Sequence, residues 1–330
     1  MAKSSNILKP DHFIKGILSS DISILSRAIT LVESTKEEHR VIAEKIIDGV
    51  IKKSGKSFRL GITGVPGVGK STFIESFGMH LVENGHKVAV LTVDPSSQKS
   101  KGSILGDKTR MEKLSVHPNV YIRPSPSSGS LGGVARKTYE TILLCEAAGY
   151  DFIIIETVGV GQSEITVSQM TDFFLLLMLA GAGDELQGIK RGIMEMADSI
   201  VITKADGTNI QKAKSARTEY AHAIHLFPPT HSGWVPKVTT CSSINNEGIK
   251  EIADILEEYK RLVVMNKYFQ KKRTDQQKEW LHESISTYIL ESFYNNKTIQ
   301  KELKKIEGSL SKSAINPHKL ATNLVKKWKR

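Results

Sequence analysis

The chain has 330 residues, 39% of them hydrophobic, which is ordinary for a globular protein and ample for a sizeable core. Its longest apolar run, residues 173–180, falls far short of the roughly 20 residues that cross a bilayer. Met1 to Pro10 lacks the apolar stretch of a secretory signal. Two cysteines, Cys145 and Cys241, lie in apolar contexts without metal-ligand spacing, so neither a disulfide framework nor a cysteine metal site is expected, and a cytoplasmic protein with no membrane contact fits. The formal charge of +11 is uneven: residues 261–330 hold 16 Lys/Arg against 6 Asp/Glu, while residues 1–260 are nearly balanced. No motif that reads RNA or DNA accompanies that charge, so a solvated Lys-rich helical face fits better than an arm for nucleic acid or an acidic partner.

Residues 1–56 read as helical, with Ile22, Leu25, Ile29 and Leu31 forming an approximate stripe and a second helix running from 37 toward 51. Strands and helices then alternate. Strands are expected at 59–63, 87–93, 151–156, 173–179, 199–203 and 237–241, and helices at 71–84, 131–148, 189–197, 209–225 and 248–260. The strands are apolar at nearly every position, the pattern of strands covered on both faces. An α/β fold with a doubly wound, mostly parallel sheet follows. Residues 261–330 read as helices again: Leu281, Ile285, Tyr288 and Ile289 share one face, as do Leu320, Leu324 and Trp328. The expected division is an N-terminal helical extension (1–56), a nucleotide-binding core (57–260) and a basic helical arm (261–330).

One local motif dominates. Gly64, Val65, Pro66, Gly67, Val68, Gly69, Lys70, Ser71 and Thr72 fit G-x-x-x-x-G-K-[ST], the phosphate-binding loop of nucleoside triphosphatases, set between an expected strand and an expected helix. In such a loop backbone N–H groups cradle phosphate oxygens at a helix N-terminus. Lys70 would reach the β- and γ-phosphates and the Ser71 hydroxyl would bind Mg²⁺. Three acids stand at strand ends or between strands. Asp94, Asp107 and Glu156 are candidate Mg²⁺ ligands, direct or through water. Gly159 would bring its N–H against a γ-phosphate oxygen and so sense its presence. Val160 follows where many GTPases place a water-orienting Gln, so slow basal hydrolysis is expected until a loop, second subunit or partner completes the site.

Thr203-Lys204-Ala205-Asp206 resembles the guanine-reading N/T-K-x-D element of GTP-binding proteins. A carboxylate at Asp206 accepts from guanine N1–H and N2–H₂, whereas adenine presents an unprotonated N1 there. The Lys204 stem would lie across the base or support the loop. Ser242, Ser243 and Ile244 stand where GTPases place a backbone donor to guanine O6. Thr203 replaces the commoner Asn, removing an amide that usually braces the loop.

These and further segments are similar to the MeaB/ArgK family of P-loop GTPases: RAITLVES at 27–34, GITGVPGVGKSTFIE at 61–75, VDPSS at 93–97, GDKTRM at 106–111, YIRPSP at 121–126, LGG at 131–133, ETVGVGQSE at 156–164 and GDELQGIKRG at 183–192. The resemblance covers roughly residues 20–260. It implies a G domain of the SIMIBI type that uses GTP, GDP and Mg²⁺. It further implies a homodimer that chaperones adenosylcobalamin-dependent methylmalonyl-CoA mutase or a related acyl-CoA mutase, with GTP gating cofactor loading, protection or reactivation. Carried over by position, Asp94, Asp107 and Glu156 form the metal and switch shell, and 184–190 forms the mobile segment that senses the mutase. Lys190 then brings a charge to the nucleotide once the partner docks; a surface Lys at a helix start is the alternative. Ala180 stands where relatives often carry Pro. The arm matches the family by position and implies dimerisation; packing on the chain's own core is the alternative. Two other functions remain open. One is the ATPase or kinase linked to amino-acid transport attached to the ArgK branch, against which Asp206 argues; the other is a nucleotide-switched scaffold that binds nucleic acid through the arm.

Overall fold

The central strands are buried along their whole length, and that burial sets the architecture. In the computed structural model, which describes residues 9–93, 111–124, 131–158, 163–181, 191–310 and 316–329, the elements run in chain order as α1 (Pro10–Leu18), α2 (Ile22–Glu33), α3 (Glu37–Val50), β1 (Phe58–Gly64), α4 (Lys70–Glu83), β2 (Val88–Val93), α5 (Glu112–Ser115), β3 (Val120–Arg123), α6 (Leu131–Ala147), β4 (Phe152–Thr157), α7 (Ser163–Met170), β5 (Phe173–Leu179), α8 (Arg191–Met196), β6 (Ser199–Thr203), α9 (Ile210–Ile224), β7 (Lys237–Thr240), α10 (Ile249–Met265), α11 (Tyr268–Asn295), α12 (Lys297–Leu310) and α13 (Pro317–Trp328). The seven strands form one sheet in the order β3-β2-β4-β1-β5-β6-β7. Every ladder is parallel, with Ile62 opposite Glu156 on one side of β1 and Leu175 on the other. Parallel strands need crossover helices, and these cover both faces. Phe73, Phe77 and Leu81 of α4, Leu114 of α5, and Ile252, Leu256 and Tyr259 of α10 pack in one core with Leu60, Ile62, Leu175 and Leu177. On the opposite face α7 lies against β1 and β4, and α6 against β2.

The sheet matches the expected strands to within a residue at each end and adds one. β3 is a four-residue edge strand, paired only to β2 and closed by Pro124, too short to show a periodicity. The N-terminal region folds as three helices, α2 and α3 packing on α6. The buried face of α2 is Ile24, Leu25, Ala28, Ile29 and Val32; Ile22, read from the sequence as part of that stripe, is 45% exposed, because Asp21 caps the helix and sets Ile22 on its outer side.

At the amino ends of the strands a buried ionic network ties β1 and β5 to the first turns of α11. Glu146 of α6 accepts from Gly55 N at 2.5 Å, Ser57 Oγ at 2.6 Å and Arg59 Nε at 3.0 Å, and Arg59 is 2% exposed. Asp172 accepts from Arg59 N at 2.7 Å and from Arg273 Nε and Nη2 at 2.5 and 2.6 Å. Charges removed from water persist only where partners satisfy them in this way. The Asp172 carbonyl also takes the Tyr259 hydroxyl at 2.9 Å and Lys272 Nζ at 2.7 Å. Tyr259→Phe removes one of those donors without changing shape, and the expected cost is about 1 kcal/mol of unfolding free energy. A lower denaturant midpoint with an unchanged slope is the result to look for, and an unmoved midpoint would show that the hydroxyl contributes nothing.

Two units emerge, Met1–Gln276 and Gln277–Arg330. Within the second, Phe293 and Trp328 meet edge to face at 5.6 Å, Ile299 and Leu324 are buried, and Lys327 pairs with Glu302 at 3.1 Å. Leu281, Ile285, Tyr288 and Ile289 are about half exposed on α11. No described helix is long and apolar enough to cross a membrane.

Candidate functional site

The turn between β1 and α4 places a helix N-terminus at the carboxyl edge of the sheet, beside β4 and β5. Gly69 is the N-cap of α4 at φ 95°, and no side chain caps the helix. That left-handed conformation suits glycine and leaves the first-turn N–H groups of Lys70, Ser71 and Thr72 without intrahelical acceptors. Gly64 is required for a different reason: a Cβ there would lie 2.6 Å from the Leu177 carbonyl oxygen and 3.0 Å from Val68 Cγ1. Val65 is partly buried, Pro66 and Gly67 are exposed, and Val68 is fully buried as the anchor of the loop.

Lys70 Nζ donates to the Gly64 carbonyl at 2.7 Å, folding the side chain back along its own loop. Burial lowers its pKa from the ordinary lysine value, and the carboxylates of Glu156 and Glu164 oppose that shift. Both acids are buried, Glu156 near the end of β4 and Glu164 in the first turn of α7. Lys70 thus sits between a helix N-terminus and two carboxylates. Glu164, quoted in the sequence only as the end of a motif, joins the charged set because α7 runs back along β1. Thr63 and Thr157 close the floor, their hydroxyls 2.8 Å apart. Among the described residues no group of three or more His, Cys, Asp or Glu side chains could hold a metal ion by itself. The donors present suit Mg²⁺ carried on phosphate oxygens, which uses only one or two protein ligands: the Ser71 hydroxyl beside Lys70 and the carboxylate of Glu156. Asp94, Asp107, Gly159, Val160 and the 184–190 segment with Lys190 lie outside the described residues.

The end of β6 is bonded directly to the phosphate loop. Thr203 Oγ1 lies 2.7 Å from the Val68 carbonyl, to which it donates, and 3.2 Å from that of Met178. The bracing that the sequence assigned to a missing asparagine amide is therefore supplied by the threonine hydroxyl. Lys204 passes beside the loop, its Cε 3.9 Å from where a Cβ on Gly69 would stand. Asp206 is half-buried at the mouth, and Ser242, fully buried, donates its hydroxyl to Asp206 Oδ2 at 2.7 Å. Ser242 also bridges Glu247 through paired backbone bonds, making residues 242–247 a small closed loop. Ser243 is partly buried and Ile244 is 78% exposed at the loop's tip. Asn246 of this loop accepts from Ser76 Oγ of α4 at 2.5 Å. Asp206, Lys204, Ser242 and the phosphate loop thus share one rim of the sheet. Sequence reading gave Ser242 a backbone role, and its side-chain bond to Asp206 joins residues 36 apart in the chain with no local signal. Asn209 also escaped notice; it bonds back to the turn that precedes it.

Comparison with known proteins accords with this arrangement. The family described as Methylmalonyl Co-A mutase-associated GTPase MeaB matches residues 25–298. The protein called "Methylmalonic aciduria type A homolog, mitochondrial" from Mus musculus is 45% identical over 329 residues, covering 97% of this chain and 79% of its own. "GTPase ArgK" from Escherichia coli K12 is 43% identical over 304 residues, 92% of each chain. A solved structure, "Crystal structure of LAO/AO transport system kinase", superposes over all of both chains with a TM-score of 0.75 at 34% identity. With the family match spanning most of its length and relatives above 40% identity across nearly all of it, this chain belongs to the MeaB family of methylmalonyl-CoA mutase-associated GTPases.

Proposed function

We propose that the chain hydrolyses GTP to time the handling of adenosylcobalamin by methylmalonyl-CoA mutase or a related acyl-CoA mutase, gating cofactor loading, protection or reactivation. The observation that carries nucleotide reading is the bond from Thr203 to the Val68 carbonyl, which sets the Asp206 turn at a fixed spacing from the phosphate loop. The mutase as client rests on the family. Residues 64–72 cradle the phosphates, and Lys70 leaves the Gly64 carbonyl to pair with the β- and γ-phosphates. Ser71 and Glu156, with Asp94 and Asp107, would hold Mg²⁺, which would neutralise charge on the phosphate oxygens. Gly159 contacts the γ-phosphate and Lys190 adds a cation once the mutase docks. Asp206 accepts from guanine N1–H and N2–H₂, Lys204 covers the base, and Ser242, Ser243 and Ile244 border O6. The half-exposed stripe of Leu281, Ile285, Tyr288 and Ile289 is the face of a homodimer.

Affinity capture on the immobilised protein, loaded in turn with GDP and with a nonhydrolysable GTP analogue, tests the client. An adenosylcobalamin-dependent mutase is expected to be retained in one nucleotide state and released in the other. Equal retention in both states would remove the gating role, and absence of any mutase would remove the client.

A further inference from the structure

We infer that Asn209 is a positioning residue for base recognition, locking the turn that carries Asp206; the inference rests on Asp206 reading guanine. Lys204 is not a glycine, yet its φ is +54°, a left-handed conformation that residues with a Cβ avoid. Such a residue persists only where its surroundings hold it. Asn209 supplies the hold from two directions. Its side-chain Nδ2 donates to the Lys204 carbonyl at 2.7 Å, and its backbone N–H donates to the Asp206 carbonyl at 2.9 Å. The first bond grips the entry of the turn and the second its exit.

Asn209 ends a 3₁₀ turn, Gly207–Asn209, that runs straight into α9, and its own backbone is helical at φ −90° and ψ −9°. Its side chain makes no bond to the first turn of α9 and turns back to Lys204 instead. The base-reading turn thereby gains a fixed frame, since α9 itself packs on β6 and β7. The other restraints lie elsewhere: Thr203 fixes the strand before the turn, Ala205 N–H donates to Cys241 O at 3.0 Å, and Ser242 orients the Asp206 carboxylate. Only Asn209, among these, bonds to Lys204 itself. Loss of its amide releases the carbonyl of the strained residue, and the carboxylate two residues on loses its aim. The phosphate loop, anchored through Thr203 and Val68, keeps its shape.

The test compares ligands that do and do not use the base. Calorimetric titration with GTP, ITP (which lacks the guanine amine) and inorganic tripolyphosphate, each with Mg²⁺, is made on wild type, Asn209→Ala and Asn209→Asp. Both variants are expected to raise the Kd for GTP about tenfold, the scale of one lost hydrogen bond with its turn released. Preference for GTP over ITP is expected to fall, while tripolyphosphate binding stays within about twofold. Equal loss for GTP and tripolyphosphate would make Asn209 merely structural, and an unchanged GTP-to-ITP ratio would also overturn the inference. Asp206→Asn in the same series separates the two levels. If it fails to shift preference toward XTP, the reading of Asp206 is wrong; if it shifts and the Asn209 variants do not differ from wild type, only the role of Asn209 is wrong.

Discussion

Lys70→Ala is expected to cut single-turnover GTP hydrolysis by at least about 100-fold, the scale seen when one preorganised donor to a developing anion is removed. The site makes the loss larger than that of a surface cation. Lys70 is partly buried, and its charge sits with those of Glu156 and Glu164. Removing it leaves two buried carboxylates facing an incoming triphosphate without their cation. Binding should therefore weaken as well, and more for GTP than for GDP, which lacks the γ-phosphate. The fold should survive, because the bonds lost are to the loop's own Gly64 and Val65 carbonyls, at 2.7 and 3.5 Å, and alanine is a good helix former at the start of α4. Lys70→Arg should not rescue the rate, since a planar forked guanidinium cannot take the place of a compact ammonium in that space. Turnover by the alanine variant near the wild-type rate would remove the phosphate-loop assignment altogether.

The same residues show what kind of information a sequence carries. The phosphate loop was legible because its requirements are local: glycines at 64, 67 and 69, a lysine and a hydroxyl, all within nine residues between a strand and a helix. The central strands were legible because burial on both faces makes them continuously apolar, as in the wholly buried β1 and β4. β3 was not, since an edge strand of four residues carries no period that separates it from a loop. The phase of α2 was misread at Ile22, where the position of Asp21 as N-cap decides which side faces inward. Polar contacts between distant segments were the least legible. Arg273 reaches Asp172 across 101 positions, Thr203 reaches Val68 across 135, and Glu164 acts on Lys70 from another helix. A threonine where an asparagine is common reads as a loss until the neighbouring carbonyl is in place. Such contacts depend on which strand ends lie side by side, and the order β4-β1-β5-β6 that sets them follows from packing, not from any one segment.

Asp206→Asn is expected to weaken GTP by about 100-fold or more and to create binding of XTP that the wild type lacks, the range reached when a site built for a hydrogen-bond pattern meets a mismatched one. The wild-type carboxylate can accept two bonds, and guanine offers two donors, N1–H and N2–H₂. Xanthine keeps N1–H but presents a carbonyl at C2, which would face a carboxylate oxygen with no proton between them. An amide in place of the Asp206 carboxylate reverses this: its oxygen accepts from N1–H and its nitrogen donates to the C2 carbonyl. Ser242 braces the introduced group in either orientation. Its hydroxyl now donates to Asp206 Oδ2 at 2.7 Å, and in the variant it can donate to the amide oxygen or accept from the amide nitrogen, so the flip state is set by the base that binds. Ser242→Ala in the Asp206→Asn background should then lower XTP affinity by removing that brace. Titration of GTP, XTP and ATP on the single variant decides between functions as well as residues. A clean exchange of GTP for XTP fixes Asp206 as the base reader; wild-type binding of ATP as tight as GTP, with no exchange in the variant, would place base selection elsewhere and return the chain to the ATPase reading.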